Sequence, residues 1–486
     1  MKIENQSNIT MHRIRTLFLS LCCFLSLHAQ TDVRNILFSG KVYDGKSGIA
    51  GVAVTDGVNV THTGAKGQYQ LLSHATAEFV YITLPSGYDV PMKDEAPCFY
   101  VPVTDKSASK QTINFEIKKS GRDDNRHTMI VWADPQVYYE EELPLAANAA
   151  KDAEALAGAL ETPVYGVVCG DITGDHPEYY ASLKKMLADT RVPFFFVPGN
   201  HDLRLNVRSD ELSKDIYRKS FGPDYYSFNR GKVHYVVLND VFYVGRTYWY
   251  IGYLSERQLA WLQQDLAVVP AGSTVVVMLH IPTATRTTQP AEEMHKILQN
   301  RRYLHEMLGP YNAHIFSGHM HYNDNFVLND HLFEHVHAAV CAEFWQTSQC
   351  SDGTPQGYGV YEIDGDDVRW YYKSVGYDKN FQFRAYPVGA NPEKPTAVTV
   401  NVWNYDPQWK VNWYENGVPK GEMTPYSGHD PYATDYINKN KDKFRYDWIS
   451  TGATEHLFFA EPSSPDAKIK IEVTDRFENQ YIEELP

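Results

Sequence analysis

Basic charge, cysteine and long apolar runs are all scarce in this sequence, and each shortage excludes a class of protein. The 486 residues carry a formal net charge of −15, and an acidic surface does not attract nucleic acid or an anionic membrane. We therefore expect no nucleic-acid partner. The one conspicuous apolar run, at 17–29, is too short to span a membrane comfortably, so we predict no transmembrane segment. Repeats and low-complexity tracts are also missing.

The first thirty residues have the pattern of an export signal. Arg13 and Arg15 precede the apolar run LFLSLCCFLSLHA at 17–29, an order typical of a secretory signal peptide. Its removal takes away three basic residues and one acidic residue and changes the net charge from −15 to −17. We expect an exported protein, periplasmic or extracellular. Cys22 follows the bulky Leu21, which disfavours a lipid-anchored form.

Four cysteines remain beyond the signal segment. Cys169 lies within an apolar stretch, which predicts a buried thiol. Cys341 and Cys350 are close in sequence, and in an oxidising compartment we expect them to form a disulfide. The alternative is a pair of free thiols in one loop.

The pattern of apolar residues divides the remaining chain into three parts. Alternating apolar residues between Gly and Asp-Gly turns predict an all-β sandwich at 36–118. Apolar strands then alternate with helical patterns over 126–377, which indicates an α/β layered domain. Strand-like segments return at 396–486 and predict a second β-domain.

Polar residues collect at the ends of the apolar strands of the α/β part, where ligands of such sheets bind. Taken singly, each has a structural explanation, such as a helix cap, a turn or a hydrogen-bonded histidine. Together they favour a metal site, because five strand ends each deliver a side chain that can bind a metal. The residues are Asp134, Gln136, Asp171, Asn200, His201, Asp202, His280, His319 and His321.

The donor types of this set restrict the metal. Imidazole, carboxylate and amide donors without thiolate suit Mn, Fe, Zn or Mg better than a structural zinc or an iron–sulfur cluster. Seven candidate ligands are too many for one tetrahedral ion. They suit two divalent ions that share a bridging carboxylate.

The motifs resemble those of the calcineurin-like metallophosphoesterases. Gly-Asp at 170–171, Gly-Asn-His-Asp at 199–202 and Gly-His-Met-His at 318–321 occur in the family's order. The segments at 225–239, 254–266 and 352–365 look like a bacterial exported subgroup with β-domains on both sides. The resemblance implies a four-layer α/β/β/α β-sandwich core flanked by two all-β, immunoglobulin-like domains.

The resemblance also implies a role for each residue of the set. The first metal would be held by Asp134, Gln136 and His321. The second metal would be held by Asn200, His280 and His319, and Asp171 would bridge the two. A metal-bridging hydroxide would attack phosphorus, with His201 as the general acid and Asp202 orienting it.

At two positions this chain differs from related family patterns. The common family pattern has His where this chain has Gln136, and an amide oxygen is a harder and weaker ligand than imidazole. This exchange puts the identity and affinity of the first metal in doubt. The purple acid phosphatases have Tyr where this chain has Gly174, which disfavours a tyrosinate–ferric site.

The sequence therefore predicts an exported phosphoric ester hydrolase, and the substrate stays open. A monoester, a phosphodiester, a nucleotide sugar or a phosphorylated glycan all suit the predicted site, and so does any small phosphorylated substrate. The rival hypothesis is a non-catalytic, metal-loaded module that binds a phosphorylated ligand or glycan. Gln136 is its support, whereas the His201–Asp202 pair opposes it. The sequence does not indicate the oligomeric state.

Overall fold

The structure is a computed structural model, and it describes residues 34–246, 249–286 and 293–485. The predicted signal peptide, 1–30, lies outside the described residues. Within these ranges no helix is both long and apolar enough to cross a membrane.

The N-terminal unit, residues 35–116, consists of short strands. Its central strand β1 pairs in parallel with β10 and β11 and antiparallel with β2 and β5. A second sheet has the order β4-β3-β6-β9, and β7 pairs with β8. The strands are β1 Asn35–Asp44, β2 Ser47–Gly48, β3 Ala53–Thr55, β4 Val60–His62, β5 Gln68–His74, β6 Phe79–Ile82, β7 Met92–Lys93, β8 Ala96–Pro97, β9 Tyr100–Pro102, β10 Lys110–Thr112 and β11 Phe115–Glu116.

The core unit, residues 126–374, contains two larger sheets. Their orders are β14-β13-β12-β23-β24 and β15-β16-β19-β20-β22-β21, and β17 pairs with β18. The strands are β12 Arg126–Trp132, β13 Val164–Cys169, β14 Phe194–Val197, β15 Tyr226–Arg230, β16 Val233–Val237, β17 Val241–Gly245, β18 Trp249–Gly252, β19 Thr274–Met278, β20 Asn312–Ser317, β21 Asp324–Asn329, β22 Leu332–Val336, β23 Gly357–Asp364 and β24 Asp367–Ser374.

Helices follow the strands of the core unit. The α-helices are α1 Leu143–Ala159, α2 Tyr180–Asp189, α3 Asp210–Ser213, α4 Asp215–Phe221, α5 Glu256–Leu266 and α6 Arg301–Leu308. Short 3-10 turns span Glu140–Glu142, Pro177–Tyr179 and Asn200–Asp202. Helix α5 shows how such a segment begins, because the Ser255 side chain accepts a hydrogen bond from the Gln258 amide and caps the first turn.

The two core sheets pack face to face, and helices cover both outer faces. Alternate residues of one strand enter different layers, since side chains of a strand point alternately to its two faces. Val131 of β12 packs between the sheets, whereas Ile130 and Trp132 pack beneath α1 and α2. On the other side, Val275 and Val277 of β19 pack against α5 and α6. The core is thus the predicted four-layer α/β/β/α sandwich.

The C-terminal unit, residues 384–485, has two four-stranded sheets, β25-β26-β30-β29 and β28-β27-β31-β32. It also contains helix α7, Pro431–Asn440, whose first turn is capped by Asp430, and a 3-10 turn at Lys441–Lys443. The strands are β25 Arg384–Tyr386, β26 Val398–Asn401, β27 Lys410–Glu415, β28 Val418–Glu422, β29 Thr424–Gly428, β30 Thr454–Ala460, β31 Ile469–Thr474 and β32 Gln480–Leu485.

Both flanking units are therefore β-rich, while the immunoglobulin-like topology and the domain limits stay predictions. Residues 384–386 precede the predicted start at 396, yet they pair with 399–401 of β26.

Candidate active site

The predicted site residues meet at one edge of the two-sheet core. Each follows the carboxyl end of a strand: β12 leads to Asp134 and Gln136, β13 to Asp171, and β14 to the turn Asn200–Asp202. The second sheet contributes His280 after β19, and His319 and His321 after β20. Since these strands are parallel neighbours within their sheets, their ends lie at the same edge.

The loops that carry these side chains have unusual backbone geometry. Five of the seven predicted ligands have left-handed backbone, with φ of +49° at Asp134, +40° at Gln136, +47° at Asp171, +69° at His319 and +53° at His321. Such values are uncommon for residues other than glycine and concentrate at functional sites.

Glycine permits the close packing of these loops. An added Cβ at Gly199 would collide with Asp171, and one at Gly318 would lie 2.6 Å from Asp134 Oδ2. The strand-end loops therefore pack directly against each other's carboxylates.

Four side chains of the set form a compact cluster. His280 Nε2 lies 3.3 Å from Asp171 Oδ2, 3.0 Å from Asn200 Oδ1 and 3.1 Å from His319 Nδ1. One donor atom from each of Asp171, His280 and His319 lies within 4.8 Å of the others, which is close enough to hold a metal ion.

Asp134, Gln136 and His321 lie beside this cluster. His321 Nε2 is 3.7 Å from Asp134 Oδ1, and the Asp134 carboxylate accepts a hydrogen bond of 2.9 Å from the backbone amide of His319. Asp134 and Gln136 are both buried. The structure thus places all seven predicted ligands together, and their division between two metals stays a prediction.

The three imidazoles are oriented as metal ligands usually are. One ring nitrogen of each donates a hydrogen bond to a backbone carbonyl. The pairs are His280 Nδ1 with Cys169 at 2.9 Å, His319 Nε2 with His295 at 2.9 Å and His321 Nδ1 with Ala342 at 3.2 Å. A hydrogen bond of this kind fixes the proton on one nitrogen. The other nitrogen of each ring faces the cluster, where it can bind a cation through its lone pair when the ring is neutral.

The charges of the site also suit cations. Burial raises the pKa of Asp134 above its usual range, because a charged carboxylate loses its hydration in this dry position. Burial would also raise the pKa of Asp171, but the adjacent His280 and His201 hold it below the usual range. The site therefore favours bound positive charge beside its two carboxylates. The donor set and these charges both match divalent metal ions.

The structure corrects the role assigned to Asp202. Its carboxylate does not reach the His201 ring; it accepts hydrogen bonds from the amides of Gly199, at 2.8 Å, and Ile172, at 3.2 Å, and from the Tyr180 hydroxyl, at 2.8 Å. A carboxylate with three such donors holds loop backbone in place. Asp202 therefore supports the loop that carries His201 and does not orient the imidazole.

Asp175 orients His201 instead. Its Oδ1 lies 3.0 Å from His201 Nδ1. Burial would lower the pKa of His201, but Asp171 and Asp175 raise it to about 9. The side chain keeps 23% exposure, so it can reach a substrate. Sequence reasoning missed Asp175, although a second acid four residues after Asp171 in GDITGD is a visible signal.

Two further residues escaped the sequence analysis. The buried Asp240 accepts hydrogen bonds from the amides of His280, at 3.1 Å, and Ile281, at 2.9 Å, so it positions the loop after β19. The Tyr138 hydroxyl lies 3.4 Å from His201 Nδ1. An acid three residues after the apolar strand β16 was the signal for Asp240. Tyr138 had no sequence signal that separates it from other tyrosines.

The predicted disulfide between Cys341 and Cys350 is wrong, because both are free thiols. Cys341 Sγ points to the site, 4.0 Å from Gln136 Oε1 and from His321 Nδ1. Cys350 Sγ lies 3.8 Å from the Ala339 carbonyl. The loop between them therefore directs the two sulfurs to different neighbours. Cys169 is buried and also free, as the sequence predicts.

Three consecutive family models match the chain. Residues 37–120 match the N terminal of calcineurin-like phosphoesterase, 137–323 match calcineurin-like phosphoesterase, and 334–481 match the C terminal of calcineurin-like phosphoesterase. The chain belongs to the calcineurin-like phosphoesterase family. This membership confirms the resemblance predicted from the motifs, including the extensions on both sides of the core.

Curated relatives of this calcineurin-like phosphoesterase match its core. Serine/threonine-protein phosphatase CPPED1 of Danio rerio is 29% identical over 197 residues, 38% of this chain and 62% of the relative. The 3',5'-cyclic-nucleotide phosphodiesterase alr5338 of Nostoc sp. is 27% identical over 122 residues, 25% of this chain and 42% of the relative. The chain thus spans less than two thirds of the length of each of these relatives.

Solved structures are similar at lower identity. A dimetal phosphatase from Danio rerio has a TM-score of 0.38 and 16% identity, covering 51% of this chain and 96% of that one. The purple acid phosphatase PPD1 from yellow lupin has a TM-score of 0.39 and 12% identity, covering 71% and 73%.

Proposed function

We propose that this protein is a phosphoric ester hydrolase that uses two divalent metal ions. The observation that carries the proposal is the convergence of Asp171, His280 and His319 within 4.8 Å, with Asp134, Gln136, Asn200 and His321 around them. Family membership supports the same conclusion. Mn, Fe, Zn and Mg are all candidates for the ions.

The residues divide the work of the reaction. Bound divalent ions would activate a water molecule and neutralise the charge of the phosphate oxygens. Asp134, Gln136 and His321 would hold one ion, Asn200, His280 and His319 the other, and Asp171 would contact both. His201 would donate a proton from its ring to the leaving oxygen, since it is partly exposed and its Nδ1 faces Asp175. Asp175 favours the protonated imidazole and fixes its orientation.

The test of the metal proposal uses stripped protein. We expect no turnover of p-nitrophenyl phosphate or bis-p-nitrophenyl phosphate without metal, and recovery of one or both with added Mn, Zn, Fe or Mg. Asp171→Asn should lose both bound ions by elemental analysis, because its carboxylate is assigned to both. A full pair of ions in Asp171→Asn, or no turnover of either ester with any metal, would overturn the assignment.

The acid role of His201 has a separate test. A p-nitrophenolate leaves almost unaided, whereas an alkoxide needs a proton as the bond breaks. His201→Ala should therefore slow an alkyl phosphoester by roughly 10²-fold or more and spare the nitrophenyl ester. Metal content should stay at the parental level. Equal losses on both esters would leave His201 only a role in positioning the phosphate.

We also propose that the protein is exported, with a small phosphorylated substrate as its target. The support is the basic and apolar pattern of the first thirty residues together with the net charge of −15. N-terminal sequencing of protein recovered from outside the cytoplasm should begin near residue 31. An intact segment at 1–30 in the recovered protein would refute removal of a signal peptide.

A further inference from the structure

An aromatic surface lies beside the predicted metal site, and neither the family motifs nor the proposed reaction uses it. It consists of Phe344, from the loop after β22, and of Tyr446 and Trp448, from the segment between α7 and β30. We name these three residues the aromatic platform. The Trp448 ring lies 5.2 Å from the Tyr446 ring, with 23° between the planes, and 4.7 Å from the Phe344 ring, with 87° between the planes.

The platform continues directly from the predicted ligands. The Phe344 ring stacks on the ring of His321 at 4.9 Å with an angle of 29° between the planes. A group bound against Phe344 therefore lies next to His321, a predicted metal ligand.

The platform lies on the side of the site that carries the proposed proton donor. Tyr138 connects the two, with its ring 5.8 Å from His201 and 6.3 Å from Phe344. His201 protonates the leaving oxygen in the proposed reaction. A leaving group protonated by His201 would therefore extend between His201 and Phe344, towards Tyr446 and Trp448.

Other residues anchor the C-terminal segment, so the exposed aromatic rings are not needed for that purpose. Arg445 forms an ion pair of 2.6 Å with Glu141 and a second of 3.3 Å with Glu142, and Ile449 is buried. Trp448, between these anchors, keeps 52% exposure. An exposed tryptophan next to a fixed segment is available for a ligand.

The surroundings of the platform identify the kind of ligand it suits. The nearby Arg445 is already paired with two carboxylates and lies 3.6 Å above the Tyr139 ring. Its charge is therefore neutralised, and it does not attract a phosphate group in addition to the one at the metal site. Flat apolar rings bind planar ring systems by stacking, with little dependence on hydrogen bonds. We propose that the aromatic platform stacks the base of a nucleoside phosphate, and that this nucleoside is the leaving group of the reaction.

This inference rests on the proposed hydrolase function, and a matched pair of ligands tests it separately. AMP and ribose 5-phosphate share the same sugar phosphate and differ in the base. The metal-loaded full-length protein should bind AMP at least 10-fold more tightly than ribose 5-phosphate by calorimetry. If both are hydrolysed, the KM values should show the same preference. Equal affinities in the parent protein would overturn the proposal.

Substitution at the exposed ring locates the preference. Trp448→Ala should remove most of the advantage of AMP, roughly 5- to 150-fold, because stacking on one aromatic ring is worth about 1–3 kcal/mol per base. Trp448→Phe should keep most of it, which shows that the ring matters and that the segment still folds. Tyr303→Ala, at a ring with 60% exposure on α6 of the core unit, should leave the ratio unchanged.

The remaining outcomes are also decisive. An AMP preference that survives Trp448→Ala would place the base elsewhere and refute the platform. Glucose 1-phosphate bound as tightly as AMP, and weakened equally by Trp448→Ala, would show a sugar platform and refute the base. Preferential AMP binding without AMP hydrolysis, in protein that still turns over a nitrophenyl ester, would overturn the nucleoside as leaving group while leaving the proposed hydrolase function intact.

Discussion

The carboxylate of Asp175 lies 3.0 Å from His201 Nδ1, whereas Asp202 accepts hydrogen bonds from two backbone amides and a tyrosine. Replacing each acid by Asn should therefore cause a different defect, in catalysis for Asp175 and in stability for Asp202. Asp175→Asn should lower kcat for an alkyl phosphoester by roughly 10-fold or more and spare a nitrophenyl ester, because only the first needs the proton.

Asp202→Asn should instead lower stability by about 1–3 kcal/mol. The new amide oxygen can keep the two backbone amide donors, but the new NH2 group then faces the Tyr180 hydroxyl, which donates to the carboxylate in the parent. Its effect on the two esters should be the same. Thermal unfolding and the ratio of the two rates measure both variants. A leaving-group dependence confined to Asp202→Asn would restore Asp202 as the orienting acid.

Gln136 offers an amide oxygen where the common family pattern has imidazole, and we expect a weakly held ion there. Gln136→His should retain more metal after dialysis than the parent, since imidazole binds Mn, Fe and Zn more strongly than an amide oxygen does. Gln136→Ala should retain less. Metal content per chain, measured over a dialysis series, tests the order of the three proteins. Equal retention in the parent and Gln136→Ala would exclude Gln136 as a ligand.

At the scale of elements, strand β20 and the position directly after β22 carry buried neutral histidines, His314 and His337. Burial lowers the pKa of His314 to about 3 and that of His337 to about 4. His337 Nδ1 donates to the Ser317 carbonyl at 3.0 Å, and its Nε2 is 2.9 Å from the Tyr361 hydroxyl. These groups bind protons in the unfolded chain near pH 6.5 but not in the folded one. The free energy of unfolding is therefore unaffected by these histidines above pH 6.5, and it decreases as the pH falls towards 4.

The pH dependence can be assigned with one substitution. His337→Gln should remove about 2 kcal/mol of the loss in stability between pH 7 and pH 5, the linkage expected of one histidine with such a pKa. Urea unfolding at the two pH values measures it. His62→Gln, at an exposed position, is the matched control and should follow the parent. An unchanged pH dependence in His337→Gln would show that the buried His337 does not lower stability in acid.

How far the sequence predicts these elements depends on how local the signal is. The seven predicted ligands follow apolar strands directly, so the strand pattern alone brings them to one edge. The partner of His201 is not local: Asp202 is adjacent in sequence, but the turn at Asn200–Asp202 directs its carboxylate to backbone amides. The direction of the Cys341 sulfur likewise depends on how its loop folds. No spacing rule relates Arg445 to Glu141, because a different unit supplies each.

At the scale of the whole molecule, the N-terminal and core units share one hydrophobic core. Phe38 of β1 belongs to the same buried cluster as Val131 of β12. Gln264 Nε2 donates to the Val58 carbonyl at 2.8 Å, and Arg230 Nη1 donates to the Tyr88 carbonyl at 2.9 Å. The two units should therefore unfold together, although the sequence reads as separate domains.

Calorimetry can test this shared core. Phe38→Ala should lower the free energy of unfolding by about 3–5 kcal/mol. The melting temperature of both units should fall together, in a single transition. Leu72→Ala, at a position with 61% exposure in the same unit, should have little effect. Two transitions, with only one shifted by Phe38→Ala, would show that the units are independent.

The order of strands in the first core sheet has a consequence for synthesis on the ribosome. β12 lies at its centre, and its second neighbour β23 pairs Arg126 with Asp364. The chain is synthesised from its N-terminus, so β12 lacks this second partner until β23 has been made, on the order of two hundred residues later. During that interval one edge of the nascent sheet is open to pairing with other chains. A newly made chain is therefore most exposed to aggregation after its metal-site loops exist and before β23 has been translated.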